Sequence, residues 1–177
     1  ARTNFGSITL STNARVFARN RNPLHANVTN YPGSVGGNPP ISSPWSGPTV
    51  ATFYTAIPPL RLVEIMYHPP APPAGNTNGA DNFEYLEFLN TAATSINLAG
   101  YRLHGGADFT FPSLSLGAGQ RVLVVRDLTA FQSRYGAGLL VAGVFTNHLA
   151  NDNDHLVLDG PLGEPIHDFT YRDDWYP

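Results

Sequence analysis

Glu84 and Glu87 are the first side chains to weigh for chemistry, because paired carboxylates carry proton transfer at glycosidic bonds. They sit three residues apart in Glu84-Tyr85-Leu86-Glu87-Phe88-Leu89, where Leu86 and Phe88 alternate as in a strand. Strand positions three apart point to opposite faces and lie about 10 Å apart along the chain. The two cannot form an acid–base pair by themselves, and Glu87 is expected to pair with an arginine or with backbone groups at a sheet edge.

Asn151-Asp152-Asn153-Asp154 gathers oxygen ligands at the close spacing that suits a hard cation, so Asn151, Asp152 and Asp154 are the calcium candidates. The run lacks the Gly and distal Glu of an EF-hand loop, and Asn and Asp side chains also bond the backbone in turns. A turn is the expectation, with no metal; Asn76, Asn78 and Asp81 make a still thinner cluster. Trp45, Trp175, Tyr176 and Tyr31 could stack on a sugar ring, although aromatics more often close the ends of a sandwich.

The remaining catalytic constellations are missing. The sequence has no Gly-x-Ser-x-Gly elbow, His-Glu-x-x-His helix, Walker loop or Gly-x-Gly-x-x-Gly turn. Six histidines run from His25 to His167 without ligand-like pairing. Cysteine is absent, which removes disulfides, thiolate metal sites and thiol nucleophiles. No enzyme activity and no cofactor are expected.

Partners are bounded by charge. The net charge is −3, and all ten basic residues are arginines scattered from Arg2 to Arg172, so a nucleic-acid groove is not expected. All-arginine usage beside much Ala, Gly and Pro is typical of GC-rich bacterial coding. No apolar run approaches the ~20 residues of a membrane span. An export signal, if the chain had one, is expected on a removed part, since none opens the sequence.

Short strands between turns must position these residues. Seventeen Gly and sixteen Pro divide the chain, and the apolar period is two nearly everywhere. Strands are expected over 60–67, 84–89, 101–103, 121–125, 155–158 and 166–171, with Asp159-Gly160 in the connection between the last two. One helix is expected near residues 128–135, capped by Asp127, ended by Gly136, with Leu128, Phe131 and Tyr135 on one face. The fold class is all-β: an immunoglobulin-like β-sandwich over 58–177, plus a small N-terminal β segment over 1–57. That segment reads as strands over 7–10, 14–18 and 49–54, with a long polar loop over 20–48 and a proline link at 57–59.

From Leu60 the motifs resemble the lamin tail domain, in its bacterial form. Val63-Glu64-Ile65-Met66-Tyr67-His68-Pro69 is similar to the family's opening strand, and Glu84-Tyr85-Leu86-Glu87-Phe88-Leu89-Asn90 to its E-[FY]-[IVL]-E-[LI]-x-N strand. Ile96-Asn97-Leu98-Ala99-Gly100-Tyr101-Arg102-Leu103, Phe109-Thr110-Phe111-Pro112 and Leu116-Gly117-Ala118-Gly119-Gln120 follow in the family's order. Asp174-Trp175-Tyr176-Pro177 resembles the stretch before a further strand, so either that strand lies beyond this sequence or the sheet ends early. The resemblance implies an immunoglobulin-like sandwich.

Residues 6–55 resemble the tail of a chitobiase C-terminal-type β domain, through Ser7-Ile8-Thr9-Leu10-Ser11, Ala14-Arg15-Val16-Phe17-Ala18-Arg19, Trp45-Ser46 and Val50-Ala51-Thr52-Phe53. Such an arrangement implies an extracellular or cell-surface module of a larger exported bacterial protein, serving as a binding, anchoring or spacer domain toward a protein or cell-surface partner. A carbohydrate-binding module and an accessory domain of an exported enzyme are the alternatives. Half a chitobiase-type domain cannot cover both faces of its sheet. Val16, Phe17, Trp45, Phe53 and Tyr54 are therefore expected to find cover on the sandwich or on a second copy, a route to self-association through this segment.

Overall fold

The structure is a computed structural model that describes residues 7–21, 45–72 and 74–175. The chain divides into two units, Ala1–Thr55 and Ala56–Pro177.

In the first unit, β1 (Ala14–Ala18) pairs antiparallel with β2 (Thr49–Phe53). The β-branched residues Val16, Thr49, Val50 and Thr52 suit this pairing. One end of the ribbon is tied by Asn13, whose Oδ1 accepts from the Thr55 N–H at 2.7 Å. The other is closed by the reciprocal Asn20–Ser46 bonds and the Arg21–Trp45 bridge. The strand expected at 7–10 does not form: β1 takes its pairing from β2, and these four residues are left without a ladder. Phe17, Val50, Phe53 and Tyr54 are exposed in the single chain. Most of the expected 20–48 loop lies outside the described residues.

The second unit is the sandwich. Its strands are β3 (Leu60–Met66), β4 (Tyr85–Asn90), β5 (Ile96–Asn97), β6 (Arg102–Gly105), β7 (Ala107–Thr110), β8 (Ser115–Leu116), β9 (Arg121–Val125), β10 (Val141–Val144), β11 (Thr146–Asn147), β12 (Asn153–Asp159) and β13 (Pro165–Arg172). One sheet has the order β10-β9-β4-β3 and the other β11-β7-β6-β12-β13, while β5 and β8 form a small ribbon. The core lies between the two large sheets. Leu60, Leu86, Phe88, Val122 and Val124 meet Leu103, Leu156, Leu158 and Tyr171, with Phe111 packed edge-on against Phe88 at 5.2 Å. Alternation along β4 follows from this: Leu86, Phe88 and Asn90 point inward and are buried. Asn90 is a polar residue in an apolar layer, and its amide is satisfied by the carbonyls of Thr94 and Leu116 and by the Ala92 N–H.

The apolar run of β9 is buried on both faces. Val122 and Val124 enter the sandwich core, whereas Leu123 and Val125 face outward and are covered by α1 (Leu128–Tyr135) through Phe131 and Tyr135. The helix is there because β9 and β10 pair in parallel, and parallel neighbours need a crossover. Asp127 caps it as expected, its Oδ1 accepting the Ala130 N–H at 2.8 Å, and Gly136 ends it at φ 88°. Leu128 departs from expectation. It is exposed, and Ala130 takes the buried place beside Phe131, whose cluster with Leu123 and Val125 includes Tyr135 but not Leu128.

Candidate functional site

β3 and β13 end their sheets and lie beside each other, so the sandwich is open along that side. Two contacts join them: the Leu62 N–H donates to His167 Nε2 at 3.3 Å, and the rings of Tyr67 and Tyr171 meet at 4.9 Å. Burial and the charge of Arg61 hold the His167 imidazole below its usual range, in keeping with the neutral ring nitrogen this bond needs.

A groove of about 760 Å³ follows this open side. Residues 62–68 line it consecutively, as a strand does when its edge, rather than one face, borders the space. Phe169, Tyr171, Arg172 and Trp175 form the opposite wall. Leu62, Ile65, Tyr67 and Phe169 are half-buried and continuous with the core, so the floor is apolar. Trp175 is 58% exposed and stacks on Phe169 with centroids 6.2 Å apart and planes 16° apart. β3 carries a bulge at Val63, a feature that re-aims side chains at sheet edges. The site can present backbone donors and acceptors, an apolar floor and one aromatic face. It assembles no nucleophile–base pair.

The residues singled out from sequence are dispersed. Glu87 pairs with an arginine, Arg121, as expected, but across the interior strands β4 and β9 rather than at a sheet edge. Glu84 is instead completely buried just before β4, which the sequence reading missed. Asp152 accepts the Asn153 N–H at 2.8 Å, and Asp154 accepts the N–H groups of Ala150 and His155, which is the bonding of a turn. Asn151 is exposed in the same turn. Asn76 likewise bonds Asn78 within a local turn. Among the described residues, no group of three or more His, Cys, Asp and Glu side chains is arranged to hold a metal ion. His104 pairs with Asp159 at 3.0 Å and His155 with Asp168 at 2.7 Å, both across neighbouring strands of the five-stranded sheet.

The aromatic candidates do not form one described platform. Trp45 belongs to the first unit and lies beneath the guanidinium groups of Arg19 at 4.6 Å and Arg21 at 5.8 Å. Trp175 belongs to the second unit, and Tyr31 and Tyr176 lie outside the described residues.

With the two-sheet core and its crossover helix in place, the family comparison is decisive: the Lamin Tail Domain model matches residues 55–173. The chain belongs to the lamin tail domain family. No curated protein matches the sequence. The family is a non-enzymatic, immunoglobulin-like one, in agreement with the all-β sandwich and its single short α-helix among the described residues. The matched span covers every strand of the sandwich and all of the groove's lining except Trp175. Among the described residues, no helix is long and apolar enough to cross a membrane.

Proposed function

We propose that this lamin tail domain is a non-catalytic binding module of a larger exported bacterial protein, and that it holds an extended polypeptide strand along its open side. The observation that carries the reading is the juxtaposition of an apolar groove with two strand edges that pair with no further strand among the described residues. A strand lying there would gain ladder hydrogen bonds from an edge and place alternate side chains on Leu62, Ile65 and Phe169, the mode by which exposed sheet edges take up peptides. The edge is otherwise a liability for aggregation, which a bound strand would relieve. The export and bacterial source rest on the composition and on the chitobiase-like character of residues 6–55. The exposed Phe17 and Phe53 support self-association through that first unit.

A second reading, carbohydrate binding, is favoured by one observation, the exposed Trp175 ring stacked on Phe169. The test is selection from a displayed library of random twelve-residue peptides, with chito- and cello-oligosaccharides titrated in parallel. Binding of peptides with apolar residues at alternate positions, weakened at least tenfold by Phe169→Ala and by Trp175→Ala, is expected. Oligosaccharide binding with no peptide selected would favour the second reading and overturn the first.

A further inference from the structure

The polar cluster around Glu84 meets the groove through Tyr171. Glu84 is 0% exposed. Its Oε2 accepts the Leu149 N–H at 3.1 Å, a bond spanning 65 residues, while its Oε1 is buried without a hydrogen-bond partner among the described residues. A neutral carboxyl tolerates one unpaired oxygen at modest cost, but a carboxylate there keeps half its charge out of water with no hydrogen bond on that oxygen. Leu149 sits in the 148–152 loop, between β11 and β12; its own side chain is buried in the sandwich core, and polar contacts hold the residues around it. The Tyr171 hydroxyl donates to the Ala150 carbonyl at 2.6 Å, and Asp154 Oδ2 accepts the Ala150 N–H at 3.3 Å. The Asp173 N–H donates to the Asp152 carbonyl at 2.8 Å.

We propose that the Glu84 carboxyl is a proton-operated clasp, which holds the 148–152 loop on the sandwich when neutral and lets it go when ionised. The surrounding groups set the direction. Asp81, from the 3-10 turn before β4, and Asp154, from β12, face Glu84 and disfavour its charge, whereas Arg126, just after β9, and the Leu149 N–H favour it. Tyr171, from β13, is the further titratable group, and its phenol is held above its ordinary range by burial first and then by Asp154 and Glu84. Burial dominates, and the Glu84 carboxyl is pushed up from 4.5 to about 7. Because the folded value lies above the unfolded one, the docked loop binds a proton that the released loop gives up. The clasp is fully present below pH 4.5 and is lost as pH rises through about 7. His167 acts in the opposite sense, since its lowered value destabilises the fold as pH falls below 6.5, and it lies on the groove side, bonded to Leu62. The clasp touches the groove at one point: Tyr171 both holds Ala150 and lines the groove wall.

The experiment is amide hydrogen exchange on the whole chain from pH 5 to 8.5, corrected for intrinsic exchange, together with carbon-detected NMR titration of the Glu84 carboxyl. Protection at Leu149 and Ala150 should fall by as much as tenfold per pH unit up to about pH 7, while Val122 and Leu103 in the core do not follow. Glu84→Gln, an uncharged mimic of the neutral acid, should make the loop's protection flat with pH. A carboxyl midpoint near 4.5, pH-independent protection at Leu149 in the unaltered protein, or an unchanged slope in Glu84→Gln would each overturn the proposal. The carboxyl titration needs no variant, so a Glu84→Gln chain that fails to fold still leaves the proposal open to refutation. Neither readout involves a peptide or a sugar, so the clasp and the groove stand or fall separately.

Discussion

Replacing Phe131 by alanine probes the outer layer of the sandwich, which depends on a helix only eight residues long. A helix of this length does not hold together in water by itself, so its stability must come from packing. Phe131 is 1% exposed, lies on Leu123 and Val125, and meets the Tyr85 ring edge-on at 5.6 Å and the Tyr135 ring at 4.8 Å. Truncating a buried phenylalanine costs about 3–5 kcal/mol, and the low end applies where neighbours can close the gap. Tyr135 is half-buried on a two-turn helix and can move inward, so about 3 kcal/mol is expected. That is a large part of the 5–15 kcal/mol total typical of a domain. Urea unfolding of the whole chain gives the magnitude, and hydrogen exchange gives its place. β10 is bonded only to β9 within its sheet, with the helix as the crossover between them, so protection at Val141 and Val144 should fall before protection at Leu86. A loss under about 1 kcal/mol, or an even loss with β10 no weaker than β4, would refute the claim that the helix holds this layer.

Leu86→Ala and Leu103→Ala remove fully buried side chains from opposite sheets and should each cost about 2–5 kcal/mol in denaturant unfolding; under 1 kcal/mol would contradict the register. Asp127→Ala removes the cap on the Ala130 N–H and should cost about 1 kcal/mol, with Asp127→Asn retaining most of it, as read by thermal unfolding. Duplex DNA should not bind at physiological salt, since the chain is acidic and its arginines are dispersed; a salt-sensitive mobility shift at micromolar protein would contradict this.

The long strands were legible because burial on one face imposes alternation, as at Leu86 and Phe88, or burial on both faces imposes a continuous apolar run, as at 122–125. The helix was legible from its Asp127 cap and Gly136 stop. β10 was not, because its partner across the crossover is parallel and leaves no turn between them. The two-residue strands β5, β8 and β11 are too short to carry a period. At 7–10 the alternation misled, since a pattern becomes a strand only where a neighbour supplies the ladder. Glu84 could not be placed because the backbone N–H its carboxyl meets, that of Leu149, is 65 residues away. The groove was hidden for a similar reason: which strands end a sheet is a property of topology, and Phe169 looks like an ordinary core aromatic in sequence, while Trp175 reads as one of four scattered stacking candidates. Glu87, by contrast, found the arginine its strand position called for.

The open side of the sandwich is tested most directly by amide NMR mapping of the chain with the tightest library-selected peptide. Binding should shift and protect amides of 62–68 and 169–172 and should show contacts between peptide and protein backbones at strand spacing along β3 or β13. Perturbations confined to the β1–β2 ribbon or to the helical face, with both edges unchanged, would contradict the account.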